Sequence, residues 1–109
     1  MAKIVNNDKG FKVISLSVDE AGVLEFGVEG TGLCICMKCN KYIIPSSVNI
    51  KNEAEQKKIV HGDIYYVAVL NDTMCRDCYE EWLKDATRYV EDIPIEERNF
   101  NYYKEALGL

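Results

Sequence analysis

Histidine is almost missing from this chain. Of 109 residues only His61 carries an imidazole, which removes the metal-nuclease sites built on several histidines. Proline is nearly as scarce, with Pro45 and Pro94 alone, and no repeat, low-complexity run or Pro/Gly/Ser-rich stretch divides the sequence. A linker between two folding units has nowhere to sit, so a single domain over residues 1–109 is expected. Long apolar runs are absent too: nothing approaches the roughly 18–20 residues that span a bilayer. The opening "MAKIVNNDKGFKV" holds no apolar h-region, so a cytoplasmic location is the expectation. Nor is there an excess of positive charge. Thirteen Lys and Arg against 18 Asp and Glu leave a net charge of −5, which opposes nonspecific attraction to nucleic acid or anionic membranes. A glycine-rich phosphate loop is also wanting, since "GVEGTG" is a partial pattern with no helix after it.

What is present is a globular composition. Hydrophobic residues make up 48% and charged ones 28%, enough apolar material for a core but a modest one. The first third reads as β structure: "FKVISLSV" (11–18) and "VLEFGV" (23–28) flank a turn at "DEAG". A short strand is expected at 33–36, and "KYII" forms another that Pro45 ends for want of a backbone donor. Residues 52–62 are polar and read as a loop or one helical turn. "DIYYVAVL" (63–70) is the clearest strand, β-branched and aromatic. From Cys75 the period changes, and Cys78, Tyr79, Trp82, Leu83, Ala86, Tyr89 and Val90 mark one face of an amphipathic helix that Asp72 or Thr73 would cap. Pro94 ends that helix or starts the next, which runs through "IEERNFNYYKEALGL" to a stop at Gly108.

Five cysteines stand out against this background, at 34, 36, 39, 75 and 78. Cys36-x2-Cys39 and Cys75-x2-Cys78 have the spacing that lets each turn offer two sulfurs to one tetrahedral ion. In a reducing compartment such pairs favour metal over disulfide. A metal staple would also strengthen a small core. With four thiolates and a divalent ion the net charge would reach about −7. Cys34 shares a strand face with Cys36 and reads as a core or supporting thiol, and His61 before Gly62 reads as a solvent-facing turn residue. Lys38, Lys41 and Arg76 lie close enough in sequence to offset charge on the sulfurs.

The two pairs sit in different contexts. Cys39 is followed by Asn40, which tolerates the left-handed conformation that closes a metal knuckle, and then by a β segment. Cys75 stands just before a helix and Cys78 in its first turn, where free N–H groups favour thiolate. Knuckle, β-hairpin, then a helix carrying the last ligands resembles the treble-clef zinc finger superfamily over residues 33 to about 90. The resemblance implies an α+β domain with one structural zinc ion held by Cys36, Cys39, Cys75 and Cys78. It leaves unexplained the N-terminal β region and, apart from its strand, the insert between Pro45 and Cys75; a C-terminal helix completes the expected domain.

Four sulfurs leave zinc no open position for water, so catalysis is not expected. Cys34 and His61 lack a third group, and Glu80 and Glu81 are adjacent helical residues that point apart. The expected role is protein interaction, as in an accessory or inhibitory factor of a phage or mobile element. The alternative is nucleic-acid binding through the segment 34–58, with five lysines against two glutamates, and through Tyr42, Tyr65 and Tyr66. The acidic "EDIPIEE" is expected to be solvated. Phe100, Tyr102, Tyr103, Ala106 and Leu107 cover more than one helix face, and packing on the first helix through Trp82 and Tyr89 is the expected way to bury them.

Overall fold

The computed structural model describes residues 2–23, 34–47 and 49–109, and of residues 21–23 and 34 the backbone alone. The described elements follow the order β1 (Lys3–Val5), β2 (Val13–Leu16), α1 (Val18–Val23), β3 (Cys34–Ile35), β4 (Tyr42–Ile44), α2 (Glu53–Gln56), β5 (Ile59–His61), β6 (Ile64–Val67), β7 (Asp72–Cys75), α3 (Arg76–Asp85) and α4 (Ile93–Ala106), with a 3-10 turn at Val90–Asp92 before α4.

Strand β2 is buried at all four residues, so it needs cover on both faces and neighbours on both edges. It lies inside an antiparallel sheet of order β1-β2-β6-β7, with Ile14 opposite both Ile4 and Tyr66. A second sheet, β3-β4-β5, pairs β3 antiparallel and β5 parallel to β4. Parallel pairing requires a crossover, which the segment containing α2 provides.

Neighbouring residues on β6 show how the large sheet is covered. Tyr65 meets Tyr79 of α3 edge-on at 4.9 Å between ring centroids, and Tyr66 meets Tyr103 of α4 at 4.6 Å. Successive strand residues point to opposite faces, so α3 and α4 lie on opposite sides of the sheet. This corrects the expectation that α4 packs on α3 through Trp82 and Tyr89. Trp82 instead stacks against Phe11 at 4.8 Å, and Tyr89 is exposed. The sheet offers α4 a larger apolar face than one helix could, and Phe100 and Tyr103 take it.

The N-terminal hairpin exists, but β1 and β2 form it. The "DEAG" segment lies in α1 instead of a turn, because Ser17 and Glu20 cap it reciprocally: Glu20 N–H donates to Ser17 Oγ (3.2 Å) and Ser17 N–H to Glu20 Oε1 (3.0 Å). The expected strand at 23–28 falls outside the described residues, apart from Val23 at the end of α1. Strand β6 stops at Val67, earlier than expected, since Ala68–Asn71 turns the chain into β7 with Asn71 at φ 51°. The expected helix over the cysteine-to-Val90 stripe ends at Asp85. Lys9 Nζ donates there to the carbonyls of Lys84 (3.0 Å) and Ala86 (2.7 Å), satisfying the last turn. In α4, Pro94 occupies the first turn and Gly108, at φ 72°, closes the other end. There Gly108 N–H bonds Glu105 O and Leu109 N–H bonds Lys104 O, the Schellman arrangement.

Glu96 corrects the view of "EDIPIEE" as wholly solvated. It is 1% exposed, accepts from Arg88 at 2.6 Å and receives the backbone N–H of Lys12 at 3.2 Å. A buried carboxylate holds its charge only with such partners. Together they fasten the start of α4 to the chain entering β2.

Candidate metal centre

The first cysteine pair sits on the turn joining β3 to β4. Cys36 N–H donates to Lys41 O (2.9 Å) and Asn40 N–H to Cys36 O (2.8 Å), with Asn40 left-handed at φ 61°. Asparagine tolerates this conformation better than residues with bulkier side chains, and it turns the chain back within four residues of Cys36. The second pair stands where β7 passes into α3. Cys75 caps the helix without a side-chain hydrogen bond, and Cys78 lies in the first turn. Asp72 and Thr73, expected as caps, belong to β7 instead.

Hydrogen bonds between the two segments bring the pairs together. Met37 N–H donates to Thr73 O at 3.0 Å, and Thr73 Oγ1 to Ile35 O at 3.3 Å. The sulfurs of Cys36, Cys39, Cys75 and Cys78 consequently all lie within 4.8 Å of one another, and the four are free thiols. A tetrahedron on bonds of about 2.3 Å has edges of roughly 3.8 Å, so small side-chain adjustments would close the set on one ion. Cys36 and Cys75 are buried, Cys39 and Cys78 half-buried. Of Cys34 only the backbone is described: it opens β3 opposite Ile43.

The electrostatics distinguish the thiols. Burial pushes the Cys36 thiol up, but backbone N–H groups of Cys39, Cys75 and Lys38 outweigh it and bring its pKa down to about 7. Burial raises Cys75, against a backbone N–H from Cys78, and it raises Cys78 further, where the neighbouring sulfurs add to it. Four mutually close thiols resist ionising together unless a cation compensates them. Two of the basic residues near the cluster in sequence are committed elsewhere. Lys38 reaches across to Glu81 of α3 at 3.2 Å and Arg76 pairs with Glu80 at 3.3 Å, so these two bases are engaged with carboxylates. Glu80 and Glu81 are correspondingly exposed on α3, with separate partners.

The other singled-out residues lie apart from the cluster. His61 ends β5, exposed, with its Nδ1 3.4 Å from Pro45 O. Tyr66 is fully buried and Tyr65 packs on Tyr79, which removes both as stacking platforms, while Tyr42 remains partly exposed. The chain's own reading missed Glu96 and the Ser17–Glu20 pair. Only the second had a local signature, the S-x-x-E spacing.

Among the described residues no helix is long and apolar enough to cross a membrane. Comparison of the chain with known protein families, with curated proteins and with solved structures found no match.

Proposed function

We propose that the chain is a treble-clef-type domain in which Cys36, Cys39, Cys75 and Cys78 hold one structural zinc ion, and that the domain acts by binding another protein. The observation that carries this reading is the clustering of four thiols from a β-turn and a helix start. The order of elements supports the treble-clef assignment: knuckle between β3 and β4, hairpin β6-β7, then α3 from the second pair. An all-sulfur donor set favours zinc among abundant divalent ions, and iron is its main competitor. Four protein ligands fill a tetrahedral shell, so the ion has no position for substrate and serves the scaffold.

Support for protein recognition comes from the surface. Tyr89, Val90, Ile95 and Tyr102 are exposed on the last helix and the segment before it, Val90 to 78% and Tyr102 to 67%. These exposed aromatic and branched apolar groups are the surface features on which the reading rests. Nucleic-acid binding is the second reading, favoured by the exposed Lys41, Lys51, Lys57 and Lys58.

Native mass spectrometry with metal analysis tests the zinc assignment. One zinc per chain is expected, with loss of metal in Cys75→Ser and retention in Cys34→Ser. For the interaction, Tyr102→Ser and Val90→Ser are better probes than changes at Trp82 or Tyr103, whose rings pack inside the fold. A salt-sensitive shift with DNA or RNA that disappears on neutralising the lysines would replace protein recognition with the second reading.

A further inference from the structure

The three-stranded sheet has one face against the core, through Ile43 and Val60, and another that is incompletely covered. On that second face Tyr42 and Ile44 of β4 lie beside Ile59 of β5, in the register Tyr42 to Ile59. With Pro45, Ile50 and the α2 segment they enclose a groove of about 430 Å³. Its walls are mostly apolar, with Glu55 and Lys58 the charged residues among them, and α2 buries none of its own residues, so the helix borders the groove without filling it.

Two further features define what fits there. The first is an open strand edge. Strand β5 ends its sheet, and the bonds Tyr42 N–H to Lys58 O and Gly62 N–H to Ile44 O show that Lys58 and Gly62 face β4. By alternation the peptide groups of Ile59 and His61 face outward, and among the described residues they have no backbone partner. The second is charge. Lys58 lines the groove together with Glu55, and the exposed Lys51 and Lys57 adjoin the lining residues Ile50 and Lys58 in sequence. Against them stand Glu53 and Glu55, leaving a local surplus of positive charge on a chain whose net charge is −5.

We infer that this groove and edge take an extended, acidic segment of a partner protein by strand addition to β5. The partner's backbone pairs with Ile59 and His61, alternate apolar side chains enter the groove, and its carboxylates meet the lysine rim. Main-chain pairing supplies affinity, and the pockets and charges supply selectivity. An acidic peptide suits the site better than a nucleic acid because aliphatic walls offer bases little to stack on; Tyr42 is the one aromatic residue there among the described residues. The inference rests on the protein-recognition reading and locates it at a surface separate from the exposed face of α4.

The test is selection of a random peptide library on the zinc-loaded full chain, followed by titration of one labelled selected peptide by fluorescence anisotropy. Enrichment of Asp and Glu alternating with Leu, Ile or Phe is expected. The selected peptide should weaken about tenfold or more on Ile59→Glu and on the pair Lys51→Glu with Lys58→Glu. Because Ile59→Glu could disturb the fold, zinc content is measured alongside, and the lysine pair, both exposed, provides an independent reading. N-methylation of alternate peptide amides should also abolish binding if strand pairing holds it. Selection of basic or uncharged peptides, binding indifferent to the lysine pair, or displacement by oligothymidylate overturns the proposal. Should the groove variants bind no less while Tyr102→Ser abolishes binding, protein recognition stands and this location for it falls. If no peptide is selected and partner capture is also absent, the broader reading fails with it.

Discussion

Glu96 is 1% exposed, and so deeply buried a carboxylate has a direct consequence for stability. Its carboxylate lies buried, and Arg88 is the charge that compensates it. Removing the guanidinium leaves an unpaired buried anion, so Arg88→Ala is expected to cost about 3 kcal/mol, read by denaturant unfolding. Exchanging both residues for methionine should recover much of that loss. A gentler residue effect belongs to Glu20. Its pKa is lowered, first by the Ser17 N–H, with burial opposing and the Ala2 N–H assisting. A carboxyl with a depressed folded pKa contributes stability that is full above its ordinary value of 4.5 and is lost as pH falls through the folded value. Glu20→Gln should therefore lower stability at neutral pH and flatten the acid side of the stability curve, as followed by thermal melts between neutral and acidic pH.

Helices show best how local and distant causes divide. At α4 the causes are local: Pro94 cannot donate and suits the first turn, and Gly108 accepts a positive φ that closes the last. Both limits were accordingly readable from the chain. At α3 the stop comes from elsewhere. The apolar stripe continues to Val90, but Lys9, 75 residues before Lys84, binds the final carbonyls and the chain turns extended at Ala86. Lys9→Met is expected to fray this turn and cost less than about 1 kcal/mol, measured as faster amide exchange at Leu83 to Ala86. Strand β5 was hidden for a similar reason. "IVH" is too short and too polar in its surroundings to announce itself, and its partner β4 pairs with it across the α2 crossover.

Over the whole molecule the cysteine cluster lies against the main core, since Cys36, Cys75 and Ile43 share one buried cluster with Val13, Ile14 and Ile64. The large sheet is filled by Val13, Ile14, Leu16, Ile64, Tyr66 and Met74, all buried, and α4 covers one of its faces through Phe100 and Tyr103. The knuckle and the small sheet depend more on the cysteines. A strong chelator is thus expected to leave the β1-β2-β6 region and α4 protected while residues 36–44 and the first turn of α3 exchange freely. Hydrogen exchange with and without zinc reads this directly, and uniform loss of protection would show instead that the whole chain folds as one unit around the ion.

The cysteine spacing was enough to single out the four clustered thiols, because two-residue intervals fix how a turn presents its sulfurs. Asn40, Pro94 and Gly108 were equally legible, since backbone geometry at a single residue needs no partner. Which faces of the sheet α3 and α4 cover, where Lys9 ends a helix and how Glu96 comes to be buried were settled only by the folded chain. Those outcomes depend on groups far apart in sequence competing for the same surface and the same unpaired atoms, and no short window of residues contains that competition.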